Sequence, residues 1–266
     1  MPSPTKYLDL AETLTRRINA AMKPGDQFLT VREIAEQFDV GKNTASRVVQ
    51  VLKERGVISG KPNGKTWVRV PPKRTERSNE RYFEEKQLVR EPEEVRSQNG
   101  SAERDQGVSL RDLAEDVALH EVVVCPDDIA SVMGLAPGTR VLRRSRVRRV
   151  DRSAGAGSSV SYVPLDIVER DPSVFDEAND PWPGGMQHQL YTVGVELAKI
   201  IDYVAATMPT EEEAEEQDIP PGVPIFRIRK VSYATTGRVA EVTDIPLPAD
   251  RSALVYVTEL PKWSDS

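Results

Sequence analysis

Lys42, Asn43, Thr44, Ser46 and Arg47 occupy five of the six positions that follow Gly41. On a helix opening there they would crowd its N-terminal turns, the part that reaches base edges when a helix lies in a DNA major groove. A lysine there can donate to guanine, an asparagine amide matches adenine with a donor and an acceptor, and a serine or threonine hydroxyl serves base or phosphate. Lys61, Asn63, Gly64 and Lys65 form a second basic group a short way on. Its chemistry suits the sugar-phosphate backbone or the minor groove. Arg32, early in another helical pattern, adds a guanidinium suited to a phosphate.

A different constellation stands in "TRVLRRSRVRRV", where Arg146 and Arg148 are two residues apart. On a strand that spacing points both to one face, and arginine forks suit carboxylate or phosphate. A salt-bridge ladder on an exposed face is the other reading, because Arg143, Arg144 and Arg149 share the segment. Catalytic and metal chemistry find little support. Cys125 is the only cysteine, which excludes an intramolecular disulfide and a cysteine zinc cluster. Within "VVVCP" it reads as a small buried hydrophobe. His120 and His188 are the only histidines and have no metal-ligand spacing. No metal and no cofactor is expected. "AGAGSS" does not open a helix after a strand, so it is a poor phosphate loop. "EEEAEE" reads as a solvated helix face, Trp182 as a loop anchor and Trp67 as core beneath the hairpin.

The elements that must position these residues follow from periodicity. Tyr7, Ala11, Leu14, Ile18 and Ala21 recur at spacings of four and three, which lays an apolar stripe along a first helix starting near Lys6. Thr30 and Glu33 form a capping box for a short second helix that buries Ile34, Ala35 and Phe38. After Val40-Gly41 a third helix turns Ala45, Val48, Val49 and Leu52 inward, and Gly56 ends it. Val57-Ile58 and Thr66 to Val70 then read as a hairpin around Asn63-Gly64. Three helices and a basic hairpin make a winged helix-turn-helix. The chain becomes rich in Pro, Glu, Arg, Ser and Gln from residue 71 onward, and too poor in aliphatics to offset its ordering entropy. This predicts a polar linker, with a transient helix around Arg81 to Arg90; an inter-domain helix packed on a partner subunit is the alternative. Beyond it, strands read from "ALHEVVVCP", "TRVLRRSRVRRV", "SSVSYVP", "VPIFRIRKVSYA", "GRVAEVTDIPL" and "SALVYV", all in one antiparallel sheet. "PDDIASVMGL" reads as a short helix, "ELAKIIDYVAAT" as an amphipathic run mixed with a strand, and Thr210 with Glu213 as a second capping box. The fold class is therefore α+β.

The 266 residues divide into a head over 1–75, a polar linker over 76–107 and a second domain over 108–261. The head holds 14 Lys/Arg against 7 Asp/Glu, whereas the whole chain carries a net charge of -6. A basic head on an acidic body suits a polyanion. No signal-peptide pattern and no apolar run of membrane-spanning length is present, so a cytoplasmic protein is expected.

Residues 7–70 resemble the DNA-binding domain of the GntR family of bacterial transcription regulators, through "PGDQFLTVREIAEQFDVGKNTASRVVQVLKERGVI" and the wing "NGKTWV". Residues from about 112 to 260 resemble the UTRA effector domain of the HutC subfamily, through "MGLAPGTRVLRRSRVRR", "SYVP", "PTEEEAEEQDIPPGVPIFRIRKVSY" and "GRVAEV". The family usually has arginine where this chain has Lys42 and often where it has Ser46. It often has an aromatic residue where this chain has Leu247-Pro248. The resemblance implies a chorismate-lyase-like effector domain in which Arg146, Arg148, Ser161, Tyr162 and Glu241 line a small-molecule pocket. It further implies a repressor that binds a double-stranded palindromic operator as a homodimer through its C-terminal domain, released by a small polar or anionic metabolite. Two alternatives stand beside it: a DNA-bound plasmid-maintenance or structural protein without a ligand, and a lyase-fold enzyme, for which no nucleophile–base pair is visible.

Overall fold

The computed structural model describes residues 4–60, 65–70, 72, 74–98, 115–149 and 157–260. In the head, α1 (Pro4–Ala21) buries Ala11, Leu14 and Ile18 along the expected stripe. The predicted capping box holds α2 (Val31–Gln37). The Glu33 N–H donates to the Thr30 hydroxyl at 3.3 Å, and the Thr30 N–H donates to the Glu33 carboxylate at 2.7 Å. α3 (Lys42–Glu54) turns Ala45, Val48, Val49 and Leu52 onto Leu14, Ile18 and Ile34. Each fully buried large aliphatic there contributes roughly 1.5–3 kcal/mol.

Behind α3, β2 (Ile58–Ser59) and β3 (Thr66–Val68) form the expected hairpin, and the two-residue β1 (Gln27–Phe28) completes a sheet of order β1-β3-β2. At Gly60, φ is 142° and a Cβ would fall 2.4 Å from the Lys65 carbonyl oxygen, so only glycine lets the two strands close there. Trp67 departs from expectation. It is 40% exposed between buried Thr66 and Val68, because a strand with period two buries only alternate residues. Lys61, Asn63 and Gly64 lie outside the described residues.

The segment expected as a polar linker carries structure in its described part. β4 (Thr75–Ser78) pairs in parallel with β11 (Ser252–Val255). β11 therefore does not join the main sheet, as "SALVYV" suggested. After β4 come α4 (Glu80–Leu88) and the short α5 (Glu93–Arg96). Polar composition misleads here because polar contacts, rather than apolar burial, fix these elements. Asn79 exchanges hydrogen bonds with the Val257 backbone, and Lys86 donates to the Leu197 carbonyl at 2.5 Å.

The second domain is built on a six-stranded antiparallel sheet. Its strands are β5 (Glu115–Val124), β6 (Arg140–Arg149), β7 (Gly157–Pro164), β8 (Leu197–Thr207), β9 (Ile225–Ala234) and β10 (Val239–Pro248), in the order β5-β6-β7-β10-β9-β8. β8 is one continuous strand where a mixed run was expected, favoured by β-branched Ile200, Ile201 and Val204. On one face α6 (Asp127–Met133) buries Ile129 and Met133 against Cys125, Val141, Val231 and Val242. On the other, α7 (Leu165–Val168), two 3-10 turns (Pro172–Phe175 and Glu177–Asn179) and α8 (Gly185–Thr192) cover Leu142, Val163 and Leu197. Thr210 and Glu213 cap α9 (Glu211–Glu216) as predicted.

Among the described residues the head meets the sheet domain at Arg69 and at Glu54. Arg69, just past β3, forms an ion pair with Asp250. Gly222 lies so close to the carbonyl of Glu54, at the end of α3, that a Cβ would fall 1.7 Å from its oxygen.

Candidate functional site

In the head, Gly41 precedes α3 and no side chain caps the helix, so its first N–H groups are left to outside partners. Lys42, Asn43, Ser46 and Arg47 are exposed along the first turns, and Thr44 is half-buried. Arg47 leans back over the Tyr7 ring, 5.6 Å from its centroid, and so is braced against α1. Arg32 is exposed and, among the described residues, pairs with Glu36 at 3.6 Å, a contact too weak to hold it from a phosphate. Lys65 is exposed at the start of the returning wing strand.

The sheet domain carries a cavity of about 290 Å³ on the face shared with α8, between β6 and α4. Strand register explains its chemistry. His120, Arg144, Ser161, Thr243, Lys230 and Asp202 pair successively across all six strands. Because the strands alternate faces, these six side chains lie in one polar row. Two steps along β6, Arg146 and Arg148 extend the same face, opposite Ala118 and Asp116 on β5. Leu142, two residues before Arg144 on that face, still belongs to the apolar core. The sheet thus passes from a sealed floor to a charged opening along one strand.

Ion pairs order this opening. Arg146 contacts the buried Asp180 carboxylate at 2.5 Å, and Arg148 contacts Asp116 at 3.3 Å. Arg144 is sandwiched between Phe175, 5.7 Å from its ring centroid, and His120, with Asp180 at 3.8 Å. Burial lowers the pKa of Arg144. Burial also opposes the Asp180 charge, but His120, Arg146 and Arg144 outweigh it and hold that carboxyl well below the usual range. Glu241 is fully buried; Lys230 at 2.9 Å, with Arg144, overcomes its desolvation and lowers its pKa. Among the described residues six cations line the cavity, Arg77, Arg81, Arg144, Arg146, Arg148 and Lys230, against the carboxylates Glu85, Asp180 and Glu241. The surplus positive charge suits an anion.

The UTRA domain model matches residues 111–253. The chain belongs to the UTRA family. An HTH-type transcriptional regulator of Streptomyces coelicolor is 24% identical over 90% of this chain and 87% of its own length. The HTH-type transcriptional repressor PhnF of Mycolicibacterium smegmatis is 24% identical over 82% of this chain and 78% of its own. Among solved structures, one described as a GntR-family transcriptional regulator superposes with a TM-score of 0.64 at 22% identity, covering 96% of this chain and 98% of the other. PhnF from Mycobacterium smegmatis gives 0.51 at 20% identity, covering 94% and 99%. Those two likenesses concern the fold. With a winged helix-turn-helix ahead of its UTRA domain, the chain is a GntR-type transcriptional regulator of the HutC subfamily and not an enzyme. No helix among the described residues is long and apolar enough to cross a membrane.

On the UTRA sheet, Arg146, Arg148, Ser161 and Glu241 all line the cavity. Tyr162 does not. It pairs with Arg143, so it faces the other side of the sheet and packs with the α6 cluster. The suspected surface ladder exists as well, on that opposite face, where Arg143 meets Glu121 at 3.0 Å and Arg149 meets Glu115 at 3.0 Å. Sequence reasoning missed Arg144, although the same two-residue spacing from Arg146 marks it. It also missed Lys230, His120 and Asp116, which only the register brings alongside. Asp180, Trp182 and the α4 residues carry no sequence signal for the site. Trp182 lines the cavity and donates its ring N–H to His188 Nδ1 at 2.8 Å.

Proposed function

We propose that this regulator is a repressor that a small anionic or polar metabolite releases from a palindromic operator. The observation that carries the reading is the arginine-lined cavity in the domain joined to the DNA-reading head. A ligand that favours one arrangement of head and body over another shifts operator affinity by a coupling free energy, typically about 1–3 kcal/mol. Lys42, Asn43, Thr44, Ser46 and Arg47 read bases, while Arg32, Lys61, Asn63, Gly64 and Lys65 hold the backbone or the minor groove.

The working unit in this reading is a homodimer through the C-terminal domain. Exposed apolar side chains on both edge strands support it, with Val117, Leu119 and Val124 on β5 and Tyr203 and Val204 on β8. Two heads one helical turn apart then meet the two half-sites of a palindrome. Genomic footprinting combined with deletion tests the function. A repressor's bound sites lie at promoters whose transcripts rise on deletion. Bound sites without any transcript change, accompanied by faulty plasmid copy number or segregation, would establish the maintenance role instead.

A further inference from the structure

The cavity has two walls, and they belong to different parts of the chain. Arg144, Arg146, Arg148 and Lys230 rise from the sheet, while Arg77 on β4 and Arg81, Tyr82 and Glu85 on α4 come from the segment between head and effector domain. On the sheet side, carboxylates already answer the cations, as Asp116, Asp180 and Glu241 each sit against a partner. On the strap side, Arg77 donates to the Tyr82 hydroxyl at 2.6 Å, and Glu85 is, among the described residues, the carboxylate that the strap adds to the cavity lining. An anion entering between the walls therefore meets guanidinium groups from both sides.

We propose that the β4–α4 strap forms half of the effector site: Arg77 and Arg81 close an anionic group against Arg146 and Arg148, so that occupancy bears directly on the segment leading out of the wing. The inference rests on the reading of the cavity as an effector site, and it adds which segment senses the ligand. The connection to the head is short. β4 begins seven residues after β3 ends. The Thr75 N–H donates to the Arg251 carbonyl at 2.8 Å, and the adjacent Asp250 pairs with Arg69 of the head. Strap, β11 and wing thus meet within a few residues of one another. A ligand drawing α4 onto the sheet acts on that junction without a relay through the core.

The test uses the full chain and inorganic phosphate as the probe. Calorimetric titration should show phosphate binding to the wild type, weakened tenfold or more in Arg81→Ala and in Arg148→Ala. Arg143→Ala, altered on the opposite face of β6, should bind as the wild type does. Hydrogen exchange of the wild type with and without phosphate gives a readout independent of any variant's folding: amides over 80–88 should exchange more slowly when phosphate is bound. Wild-type affinity in Arg81→Ala, together with unchanged exchange over 80–88, overturns the strap's role while leaving the cavity reading intact. Absence of phosphate binding to the wild type overturns the anion site itself, and the strap's part with it.

Discussion

The Tyr82 hydroxyl donates to the Asp202 carboxylate at 2.8 Å, tying α4 to β8 at the far edge of the sheet. Burial, with Asp202 alongside, raises the phenol pKa, so the proton stays on the oxygen and the bond persists across ordinary pH. Tyr82→Phe removes a hydrogen bond to a charged group, which costs roughly 1.5–3 kcal/mol. The loss should be local, with faster amide exchange over 75–98 and little change over β9 and β10. Uniform loss of protection across the sheet would mean that the strap is not a separable element.

Gly222→Ala should undock the head. The added Cβ would fall 1.7 Å from the Glu54 carbonyl oxygen, and φ at that position is +80°. The backbone conformation alone costs about 1–3 kcal/mol for a residue with a side chain. Since the collision is with backbone, the head must shift rather than a side chain. Small-angle scattering should show a larger radius of gyration than the wild type at unchanged helix content. Identical scattering would show that the contact at Glu54 does not hold the head.

Glu241→Ala should destabilise the effector domain strongly. It strands Lys230, whose side chain is largely buried, without its partner at 2.9 Å. Removing one member of a buried pair costs about 3–5 kcal/mol. The thermal transition of the sheet domain should fall by several degrees. A shift of under a degree would mean that Lys230 finds water or another carboxylate.

Acidification should weaken the fold through His188. Burial, with Arg96 nearby, pushes its pKa down to about 4, while an unfolded histidine titrates near 6.5. Between those values the unfolded chain holds more protons, so stability falls as pH falls from about 6.5 to 4. His188→Asn keeps an acceptor for Trp182 and removes the titration. The difference in melting temperature between wild type and variant should change across that window and be constant above pH 7. A constant difference throughout would remove His188 from the acid response.

Elements whose periodicity is strong were legible in the sequence. The stripe of Ala11, Leu14 and Ile18, the capping boxes at Thr30 and Thr210 and the Arg146–Arg148 pair each encode their placement in local spacing. What escaped depends on partners distant in the chain. β4 has no apolar alternation and exists because β11 lies beside it, 177 residues on at each paired position. The polar row from His120 to Asp202 requires knowing the register of six strands, and a shift of one residue would send each side chain to the other face. Tyr162 illustrates the same rule in reverse: adjacent to Ser161, it necessarily faces away from the site.

The central claim is that an anion in the arginine cavity releases the head from DNA. It is tested most directly by fluorescence anisotropy of the full chain on an operator fragment recovered by footprinting, titrated with anionic metabolites and with each protein's release scaled to its own ligand-free binding. The account predicts that one of these anions lowers operator affinity by about 5–150-fold in the wild type. In Arg148→Ala, the concentration needed should rise by tenfold or more. Operator binding indifferent to every anion, or release curves that coincide for wild type and Arg148→Ala, would contradict it.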